Sequence, residues 1–409
     1  MTAVATTDPR DAGSRTRRFT VPMTGRDSTE SHRASTPLEL LFDLTFVVAV
    51  GQAARELAHQ VEEVHLTTAV AGYLMVFFAI WWAWMNFTWF ASAYDTDDVP
   101  YRLFTLVQMA GVLVLAAGVP NALDEKDFTG VVVGYVIMRV AMIGQWLRAA
   151  RSDPPHRSVA LRYAGAIGVI QIGWILRLFL PEGMSGASFL VLVALELATP
   201  LWAERGIGTT WHPHHIAERY GLFTIIVLGE GVLAAMVAVQ SSVDEGGWTA
   251  DVVLIFVGGL ALLFALWWIY YLKPAGEGLS QRPELSFWWG YGHYGIFASL
   301  AALGAGLEVA AAAISHHIEA SDTLVAFSVA IPVAVFLLLV WALHAPMPGA
   351  RAGDLPTVLI AIVLTLVIAG LVEAGLPLAV AVLAMVLPPA GIVLSAILTG
   401  RDPSLNQIA

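Results

Sequence analysis

Arg139, Glu196 and Glu230 stand in the middle of long apolar stretches. An ionisable side chain at such a position is costly enough to be read first as functional. A carboxylate in hydrocarbon can carry a proton or a cation, and a guanidinium can neutralise it or contact an anion. Arg139 therefore calls for a partner, and Glu196 and Glu230 are the candidates. The competing reading is a buried ion pair that only locks helices together. Glu230 lies between Gly229 and Gly231, which leave room for close backbone approach or a ligand. Glu39 and Asp43 are four residues apart and share one helix face. His293, about two turns into its own stretch, has the titration range of a proton relay, with Asp43 as its partner. A neutral histidine used in packing is the alternative. Arg55, Arg177 and Glu308 fall nearer the opposite membrane surface.

The run His214-His215-Ile216-Ala217-Glu218-Arg219 sets His214 one helical turn from Glu218, and His215 one turn from Arg219. With His212 nearby, His214 and Glu218 form a weak metal candidate. The competing reading is a polar helix start that holds Arg219 against Glu39 or Asp43. His316 and His317 fall in a loop and read as solvated. There is no Walker loop, G-x-S-x-G, H-E-x-x-H or C-x-x-C pattern. No catalytic group or cofactor is called for, and nothing points to nucleic acid. The absence of cysteine excludes disulfides and thiolate chemistry.

Long apolar elements must position these residues. Of 409 residues, 57% are hydrophobic and 13% charged, and the mean hydropathy is +0.71. Soluble domains carry about 25% charged residues. Spans of ~20 apolar residues, enough to cross ~30 Å of hydrocarbon, recur along the chain. The reading is an all-α integral membrane protein of about twelve transmembrane helices. They fall near 38–58, 68–90, 101–119, 128–149, 158–180, 187–203, 214–240, 249–272, 288–314, 322–344, 355–373 and 376–398. Pro, Gly and acidic clusters such as 95–98, 151–155, 181–183 and 244–247 separate them. Only Glu373-Ala374-Gly375 separates the last two, so eleven is the alternative count. Residues 1–34 are polar, lack an apolar core, and read as a disordered cytoplasmic tail.

With the N-terminus cytoplasmic, the inner segments gather the tail arginines, Arg102, Arg148, Arg151, Arg157, Arg162, Arg205, Arg219, Lys273, Arg282, Arg351 and Arg401. The outer loops then hold only Lys126. The positive-inside rule thus puts both termini in the cytoplasm. Phe78-Ala79-Ile80-Trp81-Trp82 and Phe264-Ala265-Leu266-Trp267-Trp268 suggest two six-helix repeats, 35–205 and 206–400. An even number of helices per unit relates them by an axis along the membrane normal. An aromatic interface belt recurring by chance is the alternative.

The stretch Pro37-Leu38-Glu39-Leu40-Leu41-Phe42-Asp43-Leu44-Thr45-Phe46-Val47 resembles the opening signature of the bacterial low temperature requirement protein A (LtrA) family. So does Glu218-Arg219-Tyr220-Gly221-Leu222-Phe223-Thr224-Ile225-Ile226-Val227-Leu228-Gly229-Glu230. Gly292-His293-Tyr294 followed by Gly304-Ala305-Gly306-Leu307-Glu308 is similar to a later segment of that family. The resemblance covers about residues 36–400. It implies a bacterial multi-pass membrane protein linked to growth in the cold, with no settled activity. Its polar signature falls on Glu39, Asp43, Glu218, Arg219, Glu230, His293 and Glu308.

Together these observations favour a transporter-like carrier of a small solute or ion in the bacterial inner membrane, with proton coupling at Glu230. Arg139 would be the counter-charge or an anion contact. A proton or ion channel is the second reading, and a lipid-modifying membrane enzyme or cold-stress sensor is the third. The partners are the lipid bilayer and an unidentified small solute or ion; a homo-oligomer is allowed.

Overall fold

Each apolar stretch is an α-helix in the computed structural model, which describes residues 19–27, 30, 33–315, 318–348 and 354–399. His316, His317, Arg351, Arg401 and most tail arginines lie outside the described residues. The first seven helices are α1 (Pro37–Glu62), α2 (Leu66–Tyr94), α3 (Val99–Ala117), the short α4 (Val119–Asp124), α5 (Thr129–Ser152), α6 (Arg157–Arg177) and α7 (Glu182–Ala203). They are followed by α8 (Pro213–Gly246), α9 (Ala250–Tyr271), the short α10 (Ala275–Gln281), α11 (Ser286–Ser315) and α12 (Asp322–His344). The last are α13 (Leu355–Gly370), α14 (Leu378–Ala384) and α15 (Leu387–Leu398). Among the described residues there is no strand.

Among the described residues, eleven spans are long and apolar enough to cross a membrane, with α14 and α15 counted as one, Leu378–Leu398. The helix Leu355–Gly370 is apolar but shorter, at 16 residues. The turn after it is well defined: Gly375 has φ +101°, and Leu376 N–H donates to the Leu371 carbonyl at 3.0 Å. That left-handed residue is why the chain reverses within so few positions. The expected single helix 376–398 is broken ahead of Pro388-Pro389, because two successive residues without an N–H cannot continue the preceding ladder.

Local capping explains the helix starts. Thr36 and Glu39 form a reciprocal capping box on α1, and Asp98, Thr249, Ser321 and Asp354 cap α3, α9, α12 and α13. Glycines set the closest crossings. A Cβ at Gly134 on α5 would lie 2.3 Å from the Leu115 nitrogen and 2.5 Å from the Gly111 carbonyl oxygen of α3. This is small-residue packing, in which backbones approach where no side chain intervenes.

Helix α11 is the hub, with 78% of its apolar window buried, and it packs on α1, α8, α9 and α12. Helix α1 in turn contacts α2, α3, α8 and α11. Below, the entry face is the one where α1 begins, and the far face is the opposite one. The stretch 19–27, expected to be disordered, is packed on the entry face. Val21 N–H donates to Asp98 at 2.6 Å, Gly25 N–H donates to Asp153 at 2.9 Å, and the Met23 side chain is fully buried. Its polar composition hides this, because its partners are distant carboxylates and not a periodic apolar face. The two FA[IL]WW motifs also differ. Trp81 and Trp82 are buried in α2, whereas Phe264, Trp267 and Trp268 are exposed on α9.

Candidate functional site

The α1 capping box turns one oxygen of Glu39 toward Thr36 N–H, at 2.8 Å, and leaves the other facing α8. There Glu39 Oε1 lies 3.1 Å from Arg219 Nη1, 3.2 Å from His215 Nε2 and 3.7 Å from Arg33 Nη2. One turn on, Asp43 receives Arg219 Nε at 3.0 Å and Nη2 at 2.5 Å, and Trp84 Nε1 donates to it at 2.7 Å. The four-residue spacings Glu39–Asp43 and His215–Arg219 place each pair on one face, and the two faces meet. Arg33 closes the cluster from the entry side. It donates to the Ala91 carbonyl at 2.7 Å and to the Ser92 carbonyl, and it lies 3.7 Å from Asp95.

Glu39, Asp43, Arg219 and His215 are fully buried, and Arg33 nearly so. Glu39, Asp43 and Asp95 face Arg33 and Arg219, so a proton on His215 or on one carboxyl is needed for neutrality. His215 Nδ1 and the Tyr101 hydroxyl have no hydrogen-bond partner among the described residues. At the membrane edge, burial and the Glu39 charge push the Asp95 carboxyl up to about 6, while Arg33 opposes them. Burial also lowers the Arg33 guanidinium from its ordinary value, against the pull of Glu39. For Asp98, burial is outweighed by Arg148 and by the N–H groups of Val21 and Tyr101, and its carboxyl falls below the usual range.

A second charged group lies toward the far face of the same helix pair. Glu230 of α8 lies 3.3 Å from Arg55 of α1, whose other terminal nitrogen donates to Gln52 at 2.9 Å. The Glu230 carboxylate fits against α1 only because residue 51 is glycine: a Cβ there would be 1.9 Å from Glu230 Oε1. The Arg55 side chain is 49% exposed and that of Glu230 15%, so this pair borders the outside of the bundle. Glu308 of α11 is close enough to feel the charges of Arg55 and Glu230, and its Oε2 has no hydrogen-bond partner among the described residues. Asp43 and Arg55 are ~18 Å apart along α1. Between the two groups, Phe46, Ala49, Val50, Phe223 and Val227 are all fully buried.

The remaining sequence candidates lie elsewhere. Arg139 pairs with Glu196 at 2.6 Å, not with Glu230. Tyr135 and Trp82 each donate to Glu196 at 2.8 Å, and Trp174 does so at 3.3 Å. Both charges are buried, and the carboxylate is surrounded by donors. His293 also lies apart from Asp43. Its Nδ1 must donate to the Trp289 carbonyl at 2.7 Å, leaving Nε2 to accept from Tyr270 at 3.0 Å. With rings of Trp289 at 4.2 Å and Tyr220 at 4.8 Å, it is a satisfied histidine in an aromatic box. The pairing of His214 with Glu218 is not formed: His214 faces Ser280 at 3.4 Å, and Glu218 accepts from Ser35 N–H at 3.2 Å. Among the described residues no group of three His, Asp or Glu side chains is placed to hold a metal. Sequence reasoning missed Arg33 and Asp95, which lie in polar segments without periodicity. It also left Arg55 without a partner.

The architecture and the charges buried within it define a multi-pass helical membrane protein. Residues 34–396 match the bacterial low temperature requirement A (LtrA) proteins, and the chain belongs to that family. It is also 28% identical over 271 residues to an uncharacterised protein of Rhizobium meliloti (strain 1021), a match covering 64% of each chain.

Proposed function

We propose that this protein is a proton-coupled carrier of a small solute or ion in the bacterial inner membrane. Its working seam is the contact between α1 and α8. The observation that carries this reading is the arrangement of charge along that contact. Glu39, Asp43, His215 and Arg219 lie toward the entry face, Arg55 and Glu230 lie toward the far face, and buried apolar residues lie between them. Two charged groups with an apolar stretch between them suit a seam that opens to one side at a time. The unbalanced carboxylate of the entry cluster gives a proton a place to reside, and Glu230 is the proton or cation site of the far group.

Packing order supports two six-helix halves. Helix α1 packs on α2 and α3, α3 on α5, α5 on α6, and α6 on α7. In the same sequence α8 packs on α9 and α11, α11 on α12, α12 on α13, and α13 on α15. In this reading the short α13 completes a set of twelve spans, the halves are related by an axis along the membrane normal, and the entry face and both termini are cytoplasmic. Arg139 and Glu196 brace the first half and take no part in transport.

The test is proton entry into proteoliposomes containing a pH-sensitive dye, driven by a potassium diffusion potential, with amino acids, sugars and inorganic ions added outside in turn. With its solute present the wild type should acidify the lumen faster than empty vesicles, and Glu230→Gln should remove at least nine-tenths of that rate. Equal rates for wild type and variant would overturn the assignment of Glu230.

A further inference from the structure

A cavity of about 80 Å³, room for roughly five water molecules, opens at the entry-face ends of α2, α5, α6, α7 and α11. Its walls include Trp89, Trp146, Tyr163, Trp211 and Tyr291, and Glu204 lies at its edge. Trp89 and Trp211 meet at 4.9 Å and 63°, while Trp146 and Tyr163 stack at 4.3 Å. Two of these rings have their polar ends occupied outside the cavity. Trp89 donates its indole N–H to the Tyr220 oxygen at 3.0 Å, and Tyr291 donates to the Leu197 carbonyl at 3.0 Å. The cavity is therefore offered mostly ring carbon.

Glu204 is half-buried and differs from the acids that hold an arginine. Glu196, Asp98 and Asp43 each hold an arginine. Glu204 has only neutral donors among the described residues: Tyr163 at 2.9 Å, and Thr209 through its N–H at 2.7 Å and its hydroxyl at 2.9 Å. The nearby Arg162 uses Nη1 on the Ala203 and Arg205 carbonyls, at 3.3 and 2.9 Å. An aromatic-walled space with an uncompensated carboxylate attracts cations, through the ring quadrupoles and the charge together. Walls made mostly of rings suit a cation that has no N–H to donate. A neutral apolar guest would bring the carboxylate no charge to offset its own.

We infer that this cavity binds an organic ammonium ion of the trimethylammonium type, with Glu204 as its counter-charge. The same chemistry is presented by a free alkylammonium solute and by the choline headgroup of a lipid. The site stands whether or not the α1–α8 seam moves protons.

The test uses the full chain in a sugar-based detergent, titrated with choline and tetramethylammonium chlorides at constant ionic strength and read by tryptophan fluorescence. Saturable binding is expected, at least tenfold tighter for choline than for its neutral carbon isostere. Glu204→Gln should weaken it at least tenfold with an unchanged unfolding temperature. Trp211→Leu, which leaves the Glu204 hydrogen bonds intact, should weaken it severalfold. Equal binding of the neutral isostere would overturn the inference, as would full affinity in both variants. Repeating the titration in nanodiscs separates the two sources. Loss of choline binding in phosphatidylcholine but not in phosphatidylglycerol assigns the site to the headgroup, and binding in both assigns it to the free cation.

Discussion

Replacing Gly51 by alanine separates function from stability more sharply than removing a charge. The new Cβ would lie 1.9 Å from Glu230 Oε1, 2.6 Å from its Cδ and 3.1 Å from its Cγ. To reach ordinary contact at 3.4 Å, that oxygen must retreat by about 1.5 Å (3.4 − 1.9). The obstacle is the far end of a flexible side chain, so a rotamer change suffices and the backbone need not move. The Arg55 contact, already 3.3 Å long, does not survive that retreat. Losing a half-exposed pair costs roughly 0–1 kcal/mol, and alanine in a helix interior returns roughly 0.5–1 kcal/mol over glycine. The two nearly cancel, and the melting temperature should move by less than about 3 °C. Proton entry in the dye-loaded proteoliposomes should nonetheless fall at least fivefold. Wild-type flux at an unchanged melting temperature would refute the reasoning, because the Glu230–Arg55 geometry would then be irrelevant to transport.

Glu196→Ala should behave in the opposite way, leaving Arg139 buried without its carboxylate at a cost of about 3–5 kcal/mol. Thermal unfolding in detergent should show a large drop, and an unchanged transition would mean that the pair does not lock α5 to α7. Gly134→Ala should also destabilise, by about 1–3 kcal/mol, since its Cβ meets the rigid backbone of α3 and not a movable side chain. An unfolding temperature equal to that of Gly51→Ala would contradict this. Asp95 supplies a pH test. Its folded pKa of about 6 lies above the ordinary 3.8, so folding favours its protonated form. The wild type should therefore gain stability relative to Asp95→Asn as pH falls through 6, with the gain complete below about 4. Parallel stability curves from pH 4 to 7 would show that Asp95 is not held in this way.

The apolar periodicity carried most of the architecture, because in a membrane each span must satisfy its own backbone and is therefore written locally. The i, i+4 spacing made the Glu39–Asp43 and His215–Arg219 faces legible for the same reason. What the sequence could not give is azimuth between helices. Arg139 had two candidate carboxylates at similar depth, and only the packing of α5 on α6, and of α6 on α7, chooses Glu196. His293 looked like a relay because nothing local reveals Tyr270 on α9 or the carbonyl that fixes its tautomer. The packed stretch 19–27 and Arg33 were hidden in polar composition, since their partners are Asp98, Asp153 and the last carbonyls of α2. The break before Pro388-Pro389 was legible in principle, although the surrounding hydropathy masked it.

The central claim is that the apolar contact between the two charged groups opens. The chain has no native cysteine, so Val50→Cys is a unique reporter at a fully buried position between them. The decisive measurement is its labelling by a membrane-impermeant thiol reagent in right-side-out and inside-out vesicles. A seam that opens alternately predicts labelling from both sides, well above that of Ala141→Cys in the packed first half, and with a pH dependence removed by Glu230→Gln. Labelling at Val50→Cys no faster than at Ala141→Cys, from either side and at any pH, would mean that α1 and α8 form a static contact and would contradict the account.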